Sequence, residues 1–502
     1  MAATSVGAGI LISRLAGLVR VRLFGQYFGL ASDAADAFNA AFRIPNLLQN
    51  LFGEGALSGS FIPVHAGLRA RGEHETASQT ARTFFVLLSL VVALLVLLGM
   101  LGAPYVTPLL APGFTGAKRE LTIRLVRLLF PGAGFLVMSA WCLGVLNSHG
   151  KFLLSYSAPV AWNAAMIATL LAFGRHGDLD ALAVYLAFGS VAGSFLQFAV
   201  QWPYAWSLSR HALGVALSEP VRQIGRNFVP IAISRGAVQL TGYIDQIIAS
   251  WLPTGAVTGL FNAQLLYTLP VSLFGISISA AELPALSSEG SQSAFRDRMD
   301  AGLRRLAFFI VPSAVAFAAL GDVVAGTLLQ TGRFRIEDSQ YVWGILAGSS
   351  IGLLASTMAR LYSVAHYALG DARRPLRFAF VRLAAAAGLG YVGALILPEM
   401  LGLQPQWGAA GLTASAGVAG WIEFVLLRAS LNRRLGSTGL QPSYLARLWT
   451  ASLLAAALAW TAKLMLPAVH PLVRGAILLP LFGGGYLAAV ALFGITMPLR
   501  RR

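Results

Sequence analysis

The stretch TFFVLLSLVVALLVLLGML, from Thr83 to Leu101, carries no charged side chain. A helix needs about 20 mostly apolar residues to cross a hydrocarbon core about 30 Å thick, and this run supplies them without a break. Ala476 to Phe493 repeats the pattern, and comparable runs recur along all 502 residues. With 57% hydrophobic and 11% charged residues and a mean hydropathy of +0.70, the chain has too little polar surface for a water-soluble fold. The pattern predicts an all-α polytopic membrane protein.

Apolar periodicity and breaker residues place about fourteen spans, near 6–29, 37–65, 83–104, 122–146, 153–174, 182–206, 226–251, 257–287, 303–328, 341–368, 378–398, 406–428, 447–466 and 474–496. Met1 to Gly9 lacks a basic flank, and Arg14, Arg20 and Arg22 fall within the following apolar stretch, so this span is expected to be retained rather than cleaved as a leader. An even count puts both termini on one side. One set of connections holds Arg69, Arg71, Arg82, Lys151, Arg210, Arg222, Arg296, Arg298, Arg373, Arg374, Arg377, Arg433, Arg434 and Arg500 to Arg502; the alternate set holds only Lys118, Arg119, Arg175, Arg333 and Arg335. The positive-inside rule therefore predicts cytoplasmic termini, with the acidic turn at Asp33 and Asp36 outside. The same dispersal accounts for the formal charge of +17 without nucleic acid, since no basic domain or RNA-binding motif is present. Cys142 is the only cysteine and sits in an apolar run, which reads as packing and excludes an internal disulfide or a cysteine zinc site.

Phe38 to Gly53, FNAAFRIPNLLQNLFG, has a counterpart in FNAQLLYTLPVSLFG at Phe261 to Gly275. Ser13-Arg14 likewise matches Ser234-Arg235, Pro63 matches Pro284, and Gly150 matches Gly370 at nearly the same offset. Six spans separate the copies, so the halves share orientation, as in transporters whose repeats are related by an axis along the membrane normal. The expected organisation is an N-lobe over 1–215, a C-lobe over 216–432, and two extra spans in 433–502. Pro45, Gly53, Gly55, Pro230, Pro270 and Gly275 are candidates for breaks where backbone lines a cavity, or for ordinary kinks.

Arg14 lies about 12 Å and Arg20 about 21 Å along a helix starting near Val6, at 1.5 Å per residue. A charge at such depth costs at least ~2.5 to 3.5 kcal/mol and must face protein, water or a partner. Arg43, Arg235 and Arg360 fall under the same argument, whereas Arg22 is nearer a membrane face and within snorkelling reach. Embedded acids are fewer: Glu54, Asp245, Glu282 and Glu423, with Asp36 near the outer end of the second span. Guanidinium groups that remain charged and donate bidentate hydrogen bonds suit phosphate or carboxylate oxygens. Asp245 is placed to pair with Arg235 or to bind a coupling cation, and Glu282 either to cap or pair at a helix end or to take part in transport. No HExxH, P-loop or Gly-x-Ser-x-Gly occurs, and the seven histidines are scattered, so neither an enzyme nor direct ATP coupling is expected, and no metal site; a membrane glycosyltransferase is the one enzyme class left open, with only Asp33, Asp36, Asp178 and Asp180 as external acids.

SRLAGLVRVRLFGQYFG at Ser13 to Gly29 and DAFNAAFRIPNLLQNLFGEGALSGSFIPV at Asp36 to Val64 resemble the opening of the MurJ (MviN) family of lipid II flippases, within the multidrug/oligosaccharidyl-lipid/polysaccharide exporter superfamily. The resemblance continues at Leu252 to Ser287 and at YALGDARRP, Tyr367 to Pro375. It implies two lobes around a cationic central cavity that passes a lipid-linked peptidoglycan precursor from the cytoplasmic to the periplasmic leaflet of the bacterial inner membrane. By motif it implies substrate contacts at Arg14, Arg20, Asp36, Arg43 and Glu54. Three departures alter the pattern: Gln49 and Leu265 stand where many members have arginine, and Val21 replaces an acid. Arg235, within ISRGAVQL, is the candidate for the missing second-lobe charge.

These readings converge on a flippase of lipid II driven by membrane potential or a Na+ or H+ gradient, with no other cofactor. The expected partners are a polyprenyl-pyrophosphate-linked glycan and the lipid bilayer, with cell-wall synthesis proteins as further candidates. Export of another polyprenyl-linked glycan is the alternative. Cationic drugs would favour a carboxylate-lined cavity, and a scaffold would leave the deep arginines without a return on their cost. Arg235→Ala is expected to abolish flippase activity in a complementation assay; retained activity would remove Arg235 from the site.

Overall fold

The breakers in the sequence become the turns between helices. The computed structural model describes residues 2–175, 177–209, 216–289, 291–466 and 469–496, with the side chains of 2–8, 10, 54, 233–238 and 241 outside the description. Among the described residues the chain forms fourteen helical passes: α1 (Ala2–Phe28), α2 (Asp33–Phe52, continued by Glu54–Ala70), α3 (His74–Leu110), α4 (Gly116–Ser148), α5 (Phe152–Phe173), α6 (Leu179–Leu208), α7 (Glu219–Ser250), α8 (Ala256–Ser287), α9 (Gln292–Leu329), α10 (Ile336–Ala368), α11 (Arg373–Met400), α12 (Pro405–Leu435), α13 (Pro442–Met465) and α14 (Pro471–Leu492). Eleven are long and apolar enough to cross a membrane; α1, α2 and α7, which carry embedded charges, fall outside that set. The chain is an all-α polytopic membrane protein. On α3, Leu90, Leu94, Leu97 and Leu101 are all exposed at helical spacing, a stripe suited to lipid.

The repeat is visible in how helices end. Gly150 (φ 71°) and Gly370 (φ 73°) both take the left-handed conformation, and the next N–H reaches back five residues, Lys151 to the Leu146 carbonyl and Asp371 to that of His366. This is the capping arrangement that glycine permits at least cost. The expected break at Gly53 is present between the two segments of α2. Pro270 leads into a wide π turn over Val271–Ile276, the type of interruption that concentrates at functional sites.

Two compact units divide the chain: 1–251 with 331–333, and 252–330 with 334–502. In the first, α4 is central; Trp141 is buried and donates its Nε1–H to the Ala81 carbonyl, and Cys142 beside it is a packing residue. The units and the sequence repeat partition the chain differently, because α7, counted by the repeat into the second half, packs in the first unit against α2 and α3.

In the second unit α10 meets α12 through small residues. A Cβ on Gly352 would come within 2.3 Å of the Gly417 Cα, so only glycine allows this approach. The two helices beyond the repeat, α13 and α14, serve α9. Pro312 has no N–H to give the Phe308 carbonyl one turn earlier, and Tyr486 of α14 donates its hydroxyl there at 2.6 Å. Eight residues on, α9 kinks at Leu320 (φ −126°, ψ 17°). The Ala318 carbonyl is taken by Trp343 Nε1–H and that of Ala319 by Trp460 Nε1–H of α13, each at 2.8 Å. Lys463 ion-pairs with Asp322 just past the kink at 2.7 Å, its ammonium 4.3 Å from the Trp460 ring centroid.

Both members of that pair are largely buried, so removing one leaves an unpaired charge. Lys463→Met is expected to cost ~3 kcal/mol, while the double variant with Asp322→Leu should return close to the parent. Unfolding of the detergent-solubilised protein measures both; equal stability of the two variants would refute the pairing.

Candidate functional site

In the first unit the cations of α1 and α2 are held by aromatic faces. Arg20 is half-buried, its guanidinium 4.5 Å from the Trp162 ring centroid on α5 and one nitrogen 3.6 Å from the Met166 sulfur. Its Nε is buried without a hydrogen-bond partner. Trp162 is fixed by its Nε1–H donating to Ser190 Oγ of α6 at 3.2 Å and by stacking on Phe42 of α2. Cation–π attraction stabilises the guanidinium while leaving most of its N–H groups available for an anion. Arg14, six residues earlier on α1, is exposed.

Arg43 on α2 faces α7. Its guanidinium lies 5.7 Å from the Tyr243 ring centroid, and the Tyr243 hydroxyl donates to the Arg43 carbonyl at 3.1 Å. A side chain at Gly242 would displace the guanidinium, since a Cβ there would fall 2.3 Å from it. The Asp245 carboxylate acts electrostatically on Arg43. The structure thus brings Asp245 to Arg43. Glu54 and Arg235, also singled out by sequence, have side chains outside the described residues.

Asp36 has a different setting. It is buried and accepts from Lys118 at 2.9 Å, the same ammonium reaching Asp33 at 3.0 Å, so the acidic turn ties α2 to the start of α4. Glu282 also pairs, as expected at a helix end, with Arg298 and Arg305 each at 2.9 Å.

The second unit has its own polar cluster. Arg360 on α10 is exposed and acts electrostatically on Tyr267 and Tyr367. Tyr267 shares a 2.8 Å hydrogen bond with Ser356, and Arg382 pairs with Glu423 at 2.9 Å. Arg382, Asp322 and Lys463 are charges inside apolar runs that the depth criterion applied to Arg14 would also have found. At the turn between α10 and α11, burial opposes ionisation of Asp371. The Arg374 N–H and the Arg434 and Arg374 guanidiniums outweigh it and hold the carboxyl below the usual carboxylate range.

Fourteen helical passes among the described residues, in two compact units, with Arg20 and Arg43 set against aromatic rings within their helices, define a multi-pass membrane protein that carries charge inside its spans. Known proteins sharpen this. The profile of the lipid II flippase MurJ family matches residues 24–478. A probable lipid II flippase MurJ of Bdellovibrio bacteriovorus is 32% identical, covering 98% of this chain and 93% of the relative, and the lipid II flippase MurJ of Burkholderia cenocepacia is 31% identical over 86% and 83%. Among solved structures, a lipid II flippase MurJ in an inward closed conformation superposes with a TM-score of 0.78 at 20% identity, over 97% of this chain and 98% of that one. An inward-facing MATE-family multidrug transporter of the MOP superfamily superposes with 0.66 at 15% identity, over 86% and 98%. The chain belongs to the lipid II flippase MurJ family.

A double-mutant cycle on Arg43→Gln and Asp245→Asn, read by unfolding, is expected to give a coupling of ~1 kcal/mol. Strictly additive effects would separate the two charges.

Proposed function

We propose that this protein flips lipid II, the polyprenyl-pyrophosphate-linked peptidoglycan precursor, from the cytoplasmic to the periplasmic leaflet of the bacterial inner membrane, its termini on the cytoplasmic side. Family membership supports the substrate class. The observation that carries the chemistry is the pair of half-buried arginines, Arg20 and Arg43, whose aromatic neighbours occupy one ring-facing side and leave N–H donors for oxygens. A pyrophosphate presents several oxygens in reach of guanidinium forks, which remain protonated at any cellular pH. Arg14, six residues before Arg20 on α1, extends the cationic track of the first unit. The polyprenyl tail stays in lipid while the headgroup passes by alternating access.

The Arg43 and Asp245 attraction also suggests how energy enters. Substrate oxygens that take over Arg43 weaken its attraction for Asp245, which raises the affinity of that carboxylate for a cation, Na+ or H+. When the cation binds, the negative charge of the bound pyrophosphate and the vacated carboxylate is offset, and the membrane potential acts on the net charge that moves. Only a partner with different affinity for the two states can shift their populations, and Asp245 supplies that difference.

The test is to replace the essential lipid II flippase of a bacterium with this chain and follow precursor exposure on the outer leaflet. Rescue that is lost with Arg20→Ala or Arg43→Ala is the expected result. Correct membrane insertion without rescue would instead assign the protein to another polyprenyl-linked glycan.

A further inference from the structure

The first turns of α4 carry an exposed polar face on the side away from the core. Leu121, Leu125, Val126 and Leu129 are buried and belong to the core shared with Phe38, Ala41 and Ile44 of α2. On the other side of the helix Glu120, Arg124 and Arg127 are exposed, and with Ile123 and Leu128 they line a shallow groove of about 390 Å³. None of the three charged residues makes a hydrogen bond or ion pair among the described residues. α4 has 33 residues, about 50 Å of axis at 1.5 Å per residue, so it overhangs a core about 30 Å thick by roughly 10 Å at each end. Arg124 then lies near the edge of the hydrocarbon and Arg127 about one turn inside, both able to snorkel to headgroup level.

Order along the helix gives this face its chemistry. Glu120 is outermost, Arg124 follows about 6 Å deeper, Arg127 about 4.5 Å deeper again, and the apolar flanks continue inward. An aminophospholipid has the same sequence of groups: ammonium outermost, phosphate beneath it, acyl chains below. We infer that this face of α4 binds one phosphatidylethanolamine from the adjoining leaflet, its phosphate on Arg124 and Arg127, its ammonium on Glu120 and one acyl chain along Ile123 and Leu128. The charge-based topology makes this the outer leaflet. Glu120 is what distinguishes the site from a general anion patch, because it would repel a purely anionic headgroup while completing a zwitterionic one.

Native mass spectrometry of the full chain, delipidated and then supplied with dioleoyl phosphatidylethanolamine, phosphatidylglycerol or phosphatidylcholine, tests the assignment. The parent protein is expected to retain one phosphatidylethanolamine in preference to the others, and Arg124→Ala with Arg127→Ala to weaken that retention about tenfold. Glu120→Gln should keep phospholipid binding but erase the preference for the ethanolamine headgroup, a readout that also stands if the double variant misfolds. Unchanged retention in a folded double variant, or a parent that retains all three lipids equally, would overturn the site; preferred retention of phosphatidylglycerol would make it an anion patch instead.

Discussion

A backbone carbonyl inside hydrocarbon has no water to turn to, and this requirement organises the molecule more than any single side chain. Each unpaired peptide group in lipid costs several kcal/mol, so every proline or kink within a span obliges a neighbour to supply a donor. α9 shows the obligation met: Tyr486 takes the carbonyl that Pro312 strands, and Trp343 and Trp460 take those at the Leu320 kink. Two of those three donors come from α13 and α14. The helices outside the repeat are thus tied to the second unit by backbone chemistry, and their close packing on α9 needs no appeal to hydrophobic attraction, which is weak between helices already in lipid.

The second constraint is that a charge in the bilayer must be answered. The chain answers in two ways. Asp322, Glu282, Glu423 and Asp36 are matched by basic side chains at hydrogen-bonding distance, arrangements that fix helix against helix. Arg20 is matched by an indole face, which lowers the cost of burial yet saturates few of its donors. A matched pair uses its donors on a neighbouring helix, whereas an aromatic-backed cation keeps most of them.

Much of this was legible in the sequence. Uncharged runs such as Thr83 to Leu101 predict the helices because length and hydropathy are local properties, and the Gly150 and Gly370 pair predicts identical helix ends because a left-handed turn selects glycine. Partnerships were less legible. Asp245 and Arg235 are ten residues apart on one helix and read as a pair; the Arg235 side chain lies outside the described residues, while Asp245 also comes within electrostatic reach of Arg43, a residue from a distant helix, because α7 packs on α2. The resemblance marks Asp36 as a substrate contact by motif, and packing of α2 on α4 delivers Lys118 to it, a partner no motif announces. Spacing along a chain cannot encode which helices become neighbours, and the aromatic supports Trp162 and Tyr243 carry no local mark that separates them from ordinary packing residues.

The splint on α9 also has a consequence for biogenesis. The ribosome makes α9 long before α13 and α14, so the Phe308 and Ala319 carbonyls enter the membrane with their eventual donors still unsynthesised. During that interval the half-made second unit holds open polar backbone in lipid, a natural mark for holding by insertion machinery or for removal by membrane proteases. The Phe308 carbonyl therefore gains its donor only after α14 has been made, so order in α9 is delayed until a helix more than 140 residues downstream arrives.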